Sequence, residues 1–193
     1  MSSFAAVSRR QDALLVVVDV QDRLAAVMSR REPVVASAIR LVKTAALVGV
    51  PIVVTRQYPQ GLGDTDPAIN EAVEIVEQSG HAVSRADKVA FDCFADPAFQ
   101  AIVSASGRSQ IILAGMETHI CIAQTALHAL RSDLEVMVVA DACCSRDAAV
   151  HDLALDRLLA AGAVVSTTES VMYELVGAAG TDEFKSLLRI VKH

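Results

Sequence analysis

The sequence predicts an α/β fold, a three-layer α/β/α sandwich around a central six-stranded, mainly parallel sheet with strand order 3-2-1-4-5-6. Apolar runs rich in Val and Ile recur at 13–18, 50–55, 111–114, 136–140 and 163–166, with a weaker strand candidate at 81–83. Amphipathic stretches separate these runs near 33–48, 68–78, 97–106, 119–132 and 148–161. Strands that are apolar on both faces and alternate with helices are typical of a parallel sheet covered on both sides.

Signals for the ends of helices support these predicted borders between helices and strands. Gly49-Val50-Pro51 and Ala161-Gly162-Ala163 each have a glycine that ends a helix directly before the next strand. Thr181-Asp182-Glu183 precedes a periodic apolar pattern and predicts a capped terminal helix. Because no repeat or linker interrupts the pattern, we predict a single domain over 1–193, with its core at about 10–190.

Composition narrows the class of ligand. The chain has 193 residues, 53% of them hydrophobic, and a mean hydropathy of +0.42, which predicts one large core. A net charge of -6 and 4% aromatic residues give no basic or stacking surface for nucleic acid. The apolar runs are shorter than the roughly 18 residues that span a bilayer, and Met1–Phe4 lacks the apolar core of a secretory signal. We therefore expect a cytoplasmic protein with a small-molecule substrate and no nucleic-acid or membrane partner.

The cysteines and histidines form no local metal or disulfide pattern. The four cysteines, at 93, 121, 143 and 144, include no C-x-x-C pair, so they are expected to be thiols. The five histidines include no i,i+4 pair and no H-E-x-x-H motif. No cofactor is expected, although a metal site assembled from distant residues stays open.

One cysteine lies where a protein can make it reactive. A buried apolar run ends at Gly115, and a helical apolar pattern follows, so Cys121 is predicted in the first turn of a helix. The free N–H groups and positive dipole of that turn favour a thiolate and could hold an oxyanion. The alternative is a small buried core residue.

An acid and a cation are predicted near this cysteine. Asp19 directly follows the first strand, which neighbours the 111–114 strand at the switch point of a 3-2-1-4-5-6 sheet, where ligands bind. Lys88, at the edge of an apolar stretch, could orient Asp19 and lower the pKa of the thiol. As alternatives, Asp19 is a turn or cap residue and Lys88 is a solvated surface residue.

Three ordered motifs carry a resemblance to a family. Val16–Asp22 contains the acid, Asp87–Phe91 contains the lysine, and Gly115–Cys121 contains the cysteine. Together they resemble the isochorismatase-like cysteine hydrolases over nearly the whole chain. The isochorismatase domain-containing subgroup is similar also at Gln57–Gly63, Ala140–Arg146 and Ser166–Ser170.

The resemblance implies a catalytic triad. Cys121 would be the nucleophile on a carbonyl carbon, Asp19 the base that takes its proton, and Lys88 the cation that orients Asp19. It also implies a cis peptide bond between Met116 and Glu117, which aims the N–H of Glu117, with that of Cys121, at the oxyanion.

Two differences between this chain and related families indicate which type of bond it would cleave. Nicotinamidase relatives have an Asp-x-His metal motif after the second strand, where this chain has Gln57 and Pro59, which argues against a metal and against nicotinamide. Isochorismatases proper cleave an enol ether and do not need a cysteine nucleophile. Cys121 therefore favours hydrolysis of a C–N bond in an amide, carbamoyl or ureido group.

Further residues are expected to line the substrate pocket. They are Gln21, Tyr58, Phe91, Phe94 and Thr118. For the aromatic residues the alternative is a place in the core.

Two rival functions stay open at this level. The fold could serve as a non-catalytic binding or oligomeric module, or Cys121 could be a redox-reactive thiol, although no resolving cysteine is visible in the sequence. The resemblance and the apolar composition suggest a homo-oligomer. The identity of the substrate depends on loops that only folding arranges.

Overall fold

The computed structural model describes residues 7–192, so the N-terminal segment 1–6 and His193 lie outside the described residues. Six strands form one sheet in which every neighbouring pair is parallel, with the order β3-β2-β1-β4-β5-β6. The strands are β1 Ala13–Val18, β2 Ile52–Gln57, β3 Val83–Lys88, β4 Gln110–Met116, β5 Glu135–Cys144 and β6 Val164–Ser166. The predicted fold class and strand order are confirmed.

Helices cover both faces of the sheet. Within residues 7–192 they are α1 Asp22–Ala25, α2 Arg31–Val48, α3 Pro59–Leu62, α4 Pro67–Gln78, α5 Pro97–Ser106, α6 Ala123–Arg131, α7 Ala148–Ala160, α8 Thr168–Val176 and α9 Asp182–Val191. A 3-10 turn spans Cys93–Ala95, and a π-helical turn spans Thr118–Ile122 directly before α6. None of the helices in the described range has both the length and the apolar character needed to cross a membrane.

Side-chain alternation along β1 divides the core into two layers. Leu14, Val16 and Val18 pack with residues of α5, α6 and α7, whereas Leu15 and Val17 pack with residues of α2, α4, α8 and α9. All six β1 residues are buried, as expected for the central strand of a sheet covered on both sides. The predicted helix ends are also present, since Gly49 ends α2 with a φ of 75° and the Thr181 hydroxyl accepts a hydrogen bond from the N–H of Phe184.

The third strand differs from its predicted position. It begins at Val83 and ends at Lys88, so Lys88 is a strand residue and does not follow the strand. Among the described residues β3 pairs only with β2, and its Arg85 and Asp87 are exposed whereas Ala86 and Lys88 are buried. An edge strand with one solvated face shows polar alternation, which a search for continuous apolar runs misses.

Three helices were not predicted. The helices α1 and α3 have only four residues each, too few to show a helical period. The helix α8 begins after Thr167, whose hydroxyl accepts a hydrogen bond from the N–H of Ser170. This capping signal was present in the sequence.

Gly115 allows a close approach between β1 and β4. Its φ is 130°, and a Cβ atom added there would lie 2.0 Å from the carbonyl oxygen of Val18. The pairing register of β4 with β5 also shifts between Leu113 and Gly115. Glycine is therefore required where β4 leads into the turn that carries Cys121.

We expect Gly115→Ala to destabilise the fold by more than about 3 kcal/mol, because the new Cβ overlaps backbone atoms that cannot move aside. The matched control is Gly49→Ala, where φ is also positive but no atom lies within 4 Å of the added Cβ. That change should cost only about 1 kcal/mol. Urea unfolding measures both, and equal losses would contradict the requirement for glycine at 115.

Candidate active site

Two opposite charges meet in the interior at the carboxyl ends of the strands. Asp19 is the residue directly after β1, and Lys88 is the last residue of β3. Their side chains are both 0% exposed, and the Lys88 Nζ lies 2.6 Å from the Asp19 Oδ2. The alternatives of a surface lysine and a simple turn aspartate therefore do not hold.

The protein itself uses all the hydrogen-bonding capacity of the Lys88 ammonium. The Nζ donates to Asp19 and, at 2.7 Å, to the Gln57 Oε1. Longer contacts of 3.3 and 3.4 Å reach the carbonyl oxygens of Ala90 and Phe91. An ammonium has three protons, so this arrangement leaves none for a substrate. All the ammonium protons of Lys88 are therefore directed at protein atoms, with Asp19 the nearest partner.

A second donor completes the surroundings of the acid. The Thr55 hydroxyl donates to the Asp19 Oδ1 at 2.7 Å, so both carboxylate oxygens have a partner. Burial by itself lowers the pKa of Lys88, but the charge of Asp19, with smaller contributions from Cys93 and Cys121, outweighs it and raises that pKa. The lysine is therefore charged, as a buried carboxylate requires.

Cys121 lies in the π-helical turn Thr118–Ile122, directly before α6, and only 5% of it is exposed. Burial raises the pKa of its thiol, the charge of Asp19 raises it further, and Lys88 opposes them. The expected lowering of this pKa by the helix terminus and Lys88 is therefore wrong for the resting protein. Desolvation and the negative charge of Asp19 both disfavour a thiolate there, and together they exceed the opposing effect of Lys88.

In the resting arrangement a neutral thiol lies beside the buried Asp19–Lys88 pair. The Lys88 ammonium contacts Asp19, and the charge of Asp19 in turn discourages a negative charge on Cys121. Such a site transfers a proton from the thiol to the acid only when another change stabilises the sulfur as it reacts.

The peptide bond between Met116 and Glu117 is cis, as the resemblance implied. The Glu117 side chain, 4% exposed, accepts hydrogen bonds from the backbone N–H of Arg146 at 2.9 Å and from its Nε at 3.2 Å. This carboxylate is therefore bound to the segment after β5, and the roles predicted for Met116 and Glu117 involve only their backbone.

Gln21 does not line a substrate pocket, contrary to prediction. Its Oε1 accepts from the N–H of Gln57 at 2.7 Å, and its Nε2 donates to the carbonyls of Gln57 and Gly63 at 3.1 and 2.8 Å. The side chain is fully buried. Because both amide protons are used by backbone atoms, Gln21 joins the ends of β1 and β2 to the loop at Gly63.

Thr118 is likewise engaged within the protein. It is 0% exposed, and its hydroxyl lies 2.8 Å from the Nδ1 of His151 on α7. Burial lowers the pKa of His151, which keeps the ring neutral and able to accept this hydrogen bond. The sequence did not indicate that His151 contacts the site, because Thr118, its hydrogen-bond partner, is 33 residues away in the chain.

The predicted aromatic residues divide into two groups. Tyr58 and Phe91 are 52% and 53% exposed. Their backbone atoms contact Lys88, because the Tyr58 N–H donates to the Lys88 carbonyl and the Phe91 carbonyl lies 3.4 Å from the Lys88 Nζ. Phe94 is only 6% exposed and packs edge-on against Phe99, with ring centroids 5.0 Å apart. For Phe94 the core alternative is correct, although its apolar cluster also includes Cys121.

Cys93 and Thr55 were missed by sequence reasoning. Burial, and then the charge of Asp19, raise the pKa of the Cys93 thiol to about 12. Its backbone N–H donates to the Thr125 hydroxyl at 3.0 Å. A second neutral thiol therefore lies near the acid. No motif in the sequence pointed to Cys93, because it follows the edge strand β3 and not one of the apolar strands.

A cleft of about 340 Å³ opens beside the buried pair. Its lining residues are Pro59, Gln60, Asp87, Lys88, Val89, Ala90, Ala95 and Asp96. A larger apolar cavity of about 490 Å³, which includes Leu14 and Pro51, lies at the opposite ends of the strands and away from Asp19, Lys88 and Cys121. Within residues 7–192 no group of three His, Cys, Asp or Glu side chains is arranged to hold a metal ion.

Known proteins match both the sequence and the fold. Residues 13–170 match the family model described as the isochorismatase domain. The chain is 38% identical over 181 residues to isochorismatase domain-containing protein 2 of Bos taurus, covering 93% of this chain and 83% of that protein. The MAR1 ribonuclease from Caenorhabditis elegans superposes with a TM-score of 0.87, at 28% identity over 97% of this chain and 93% of that one. YcaC from Pseudomonas aeruginosa with hexane-2,5-diol and covalent acrylamide gives 0.85, at 25% identity over 98% and 93%.

The charges around Cys121 predict opposite effects of two substitutions. Asp19→Asn removes the charge that disfavours a thiolate while Lys88 stays, so it should speed alkylation of Cys121 by iodoacetamide at pH 7 by about tenfold or more. Lys88→Met should slow it. Mass spectrometry of the Cys121 peptide measures both rates, in protein whose folding is confirmed by thermal unfolding. Equal rates in Asp19→Asn and wild type would contradict this account of the thiol.

His151 predicts a loss of stability in mild acid. Its folded-state pKa is lowered, whereas an unfolded histidine titrates near about 6.5, so below that pH the unfolded chain binds the proton more readily. Stability from this group is therefore present above about pH 6.5 and is lost as the pH falls. His151→Asn keeps an acceptor for Thr118 but does not titrate. Urea unfolding from pH 7 to 5 should show a smaller loss in this variant, and parallel losses would contradict the assignment.

Proposed function

Because the chain belongs to the isochorismatase family, we propose that it is a cysteine hydrolase that cleaves a small non-peptide C–N bond through a thioester on Cys121. The bond would be of the amide, carbamoyl or ureido type. The observation that carries the proposal is the fully buried Lys88–Asp19 pair, which holds an acid group within electrostatic reach of a neutral thiol.

The reaction would proceed in two balanced halves. As the Cys121 sulfur attacks the carbonyl carbon, its proton passes to Asp19, which Lys88 and Thr55 hold in place. The C–N bond then breaks, the leaving nitrogen takes the proton from Asp19, and a thioester stays on the enzyme. A water molecule then gives a proton to Asp19 and attacks the thioester carbon. The C–S bond breaks, the acid product leaves, and Asp19 returns the proton to the Cys121 sulfur.

The raised pKa of Cys121 is consistent with this sequence of events. A permanently charged thiolate would repel Asp19 and leave no proton for the leaving amine. If the thiol is neutral, its proton first passes from Cys121 to Asp19, and the same proton is then delivered to the leaving nitrogen. The backbone N–H groups of Glu117 and Cys121 are proposed to bind the oxyanion that forms in both halves.

The surroundings of the pair favour a small, uncharged substrate. Lys88 has no free donor, and Arg56 nearby is bound to Asp64 and Asp87 at 2.9 and 2.7 Å. No unpaired cation of the described residues thus lines the cleft beside Lys88 to attract a carboxylate. Tyr58 and Phe91 are proposed to supply apolar contacts at its mouth.

Acrylamide chemistry in a relative supports a nucleophile in this fold. The Pseudomonas aeruginosa protein is described with covalent acrylamide, and such an adduct requires a nucleophilic protein group. Acrylamide is also a small neutral amide. It is therefore a suitable probe of the nucleophile proposed here.

Hydrolysis of RNA is a second candidate, because the Caenorhabditis elegans relative is named a ribonuclease. The net charge of -6 and the internal pairing of Lys88 and Arg56 disfavour it, since phosphate binding needs available cations. We therefore expect no cleavage of RNA by the purified chain. Cleavage that persists in wild type and is lost in Cys121→Ala would replace the amide proposal.

Homo-oligomer formation, expected from the family resemblance and the apolar composition, also stays a proposal, and light scattering of the purified chain measures it.

The direct test is a screen of small amides, carbamoyl and ureido compounds, read by ammonia release. Cys121→Ala should lower turnover by more than about a thousandfold, because it removes the sulfur that is proposed to form the thioester. Its stability should change by no more than about 1 kcal/mol, since the lost atom is small. Cys143→Ala is the matched control, because Cys143 is fully buried and its thiol donates to the Leu113 carbonyl at 3.8 Å, away from Asp19 and Lys88. Unchanged turnover in Cys121→Ala would refute the proposal.

Turnover should survive chelation. In the metal-binding relatives the segment after the second strand supplies ligands, but here the Gln57 side chain is occupied by the Lys88 Nζ and by the carbonyl of Val89. Incubation with EDTA, followed by the same ammonia assay and elemental analysis, checks this. Stoichiometric metal together with loss of turnover in EDTA would contradict it.

A further inference from the structure

The loop between β3 and α5, residues 89–96, holds the lysine of the site. The carbonyl oxygens of Ala90 and Phe91 receive the third proton of the Lys88 ammonium. The ring of Phe91 is 53% exposed, so it does not anchor these carbonyls. Another part of the loop must therefore fix their position.

Three contacts anchor this loop to one face of α6. The Asp92 Oδ2 lies 2.7 Å from the His128 Nδ1, and the ring of Phe94 stacks on the ring of His128 with centroids 5.0 Å apart and planes at 22°. The N–H of Cys93 donates to the Thr125 hydroxyl at 3.0 Å. Residues three apart on a helix share a face, so Thr125 and His128 contact consecutive loop residues.

The same helix continues from the turn that carries the nucleophile. The π-helical turn with Cys121 ends at Ile122, and α6 begins at Ala123. Asp92, which His128 binds, directly follows Phe91, whose carbonyl contacts Lys88. One rigid element therefore carries both the thiol and the anchor of the loop that orients the lysine.

We propose that His128 is a positioning residue for the buried Lys88–Asp19 pair, acting through Asp92 and the carbonyls of residues 90 and 91. The inference deepens the proposed function and rests on it for the part that Lys88 plays in the reaction. The Asp92–His128 pair is partly solvated, with side chains 19% and 33% exposed, and such pairs add little to global stability. Its effect should therefore be local.

The lysine itself provides a direct readout. The chain has four lysines, and Lys43, Lys185 and Lys192 are exposed, so Lys88 is the one whose ammonium protons are protected from exchange. Its Nζ–H signal in a nitrogen-15 spectrum reports how firmly the ammonium is held. His128→Ala should speed exchange of these protons by about three- to tenfold.

His128→Asn tests the contact itself, because the Asn amide keeps a donor near Asp92 while the ring that stacks on Phe94 is lost. It should restore part of the protection. The matched control is His81→Ala, which removes a half-buried histidine whose Nε2 lies 2.8 Å from the carbonyl of Val50, at the other end of β2. It should leave the Lys88 signal unchanged. Wild-type exchange in His128→Ala, or equal acceleration in His81→Ala, would overturn the proposal.

A double-substitution cycle tests the route. His128→Ala should slow alkylation of Cys121 by acrylamide about three- to tenfold in the wild-type background and have no further effect in Lys88→Met. Equal slowing in both backgrounds would mean that His128 does not act through Lys88. If Lys88→Met does not fold, the ammonium exchange rates decide alone. Because neither readout requires turnover, failure of this inference and failure of the proposed amide hydrolysis are distinguishable.

Discussion

The buried ion pair of Asp19 and Lys88 is the constraint on which the rest of the site depends. Removing two charges from water costs several kcal/mol for each ion, and removing one partner leaves the other uncompensated. The 2.6 Å contact between the two charges offsets this cost, as do the Thr55 hydroxyl, which donates to Asp19, and the Gln57 Oε1, which accepts from Lys88. These four side chains come from the ends of β1, β2 and β3. The buried charges are therefore paired only when these three strands lie in the observed register.

The same pair affects the protonation of Cys121, the proposed nucleophile. An exposed cysteine beside a free lysine would ionise more readily, but here the lysine is bound to the acid and the thiol is buried. In the resting site Cys121 therefore keeps its proton, beside an acid that is bound to Lys88. This division suits a reaction in which one proton is removed and later returned to a leaving group.

Much of the fold could be predicted from the sequence. A strand that is buried on both faces of a sheet is a continuous run of apolar residues, and such a run can be recognised without knowing its neighbours in the fold. The central strands were visible as apolar runs, and a sheet with helical crossovers has few allowed orders. The edge strand β3 was placed too early because its exposed Arg85 and Asp87 break the apolar pattern. The helix α8 was missed although Thr167 caps it by a recognised signal.

The sequence by itself determined the fold class, the strand order and the three residues Asp19, Lys88 and Cys121 as candidates, because ordered motifs and strand ends are local features. Only the tertiary structure decided what surrounds them. In the folded protein the Gln21 side chain is hydrogen-bonded to backbone atoms, and burial beside Asp19 raises the pKa of the Cys121 thiol. The physical reason is that hydrogen bonds and desolvation depend on partners distant in the chain, such as Lys88 and Asp19, which lie 69 residues apart and come together only when the sheet forms.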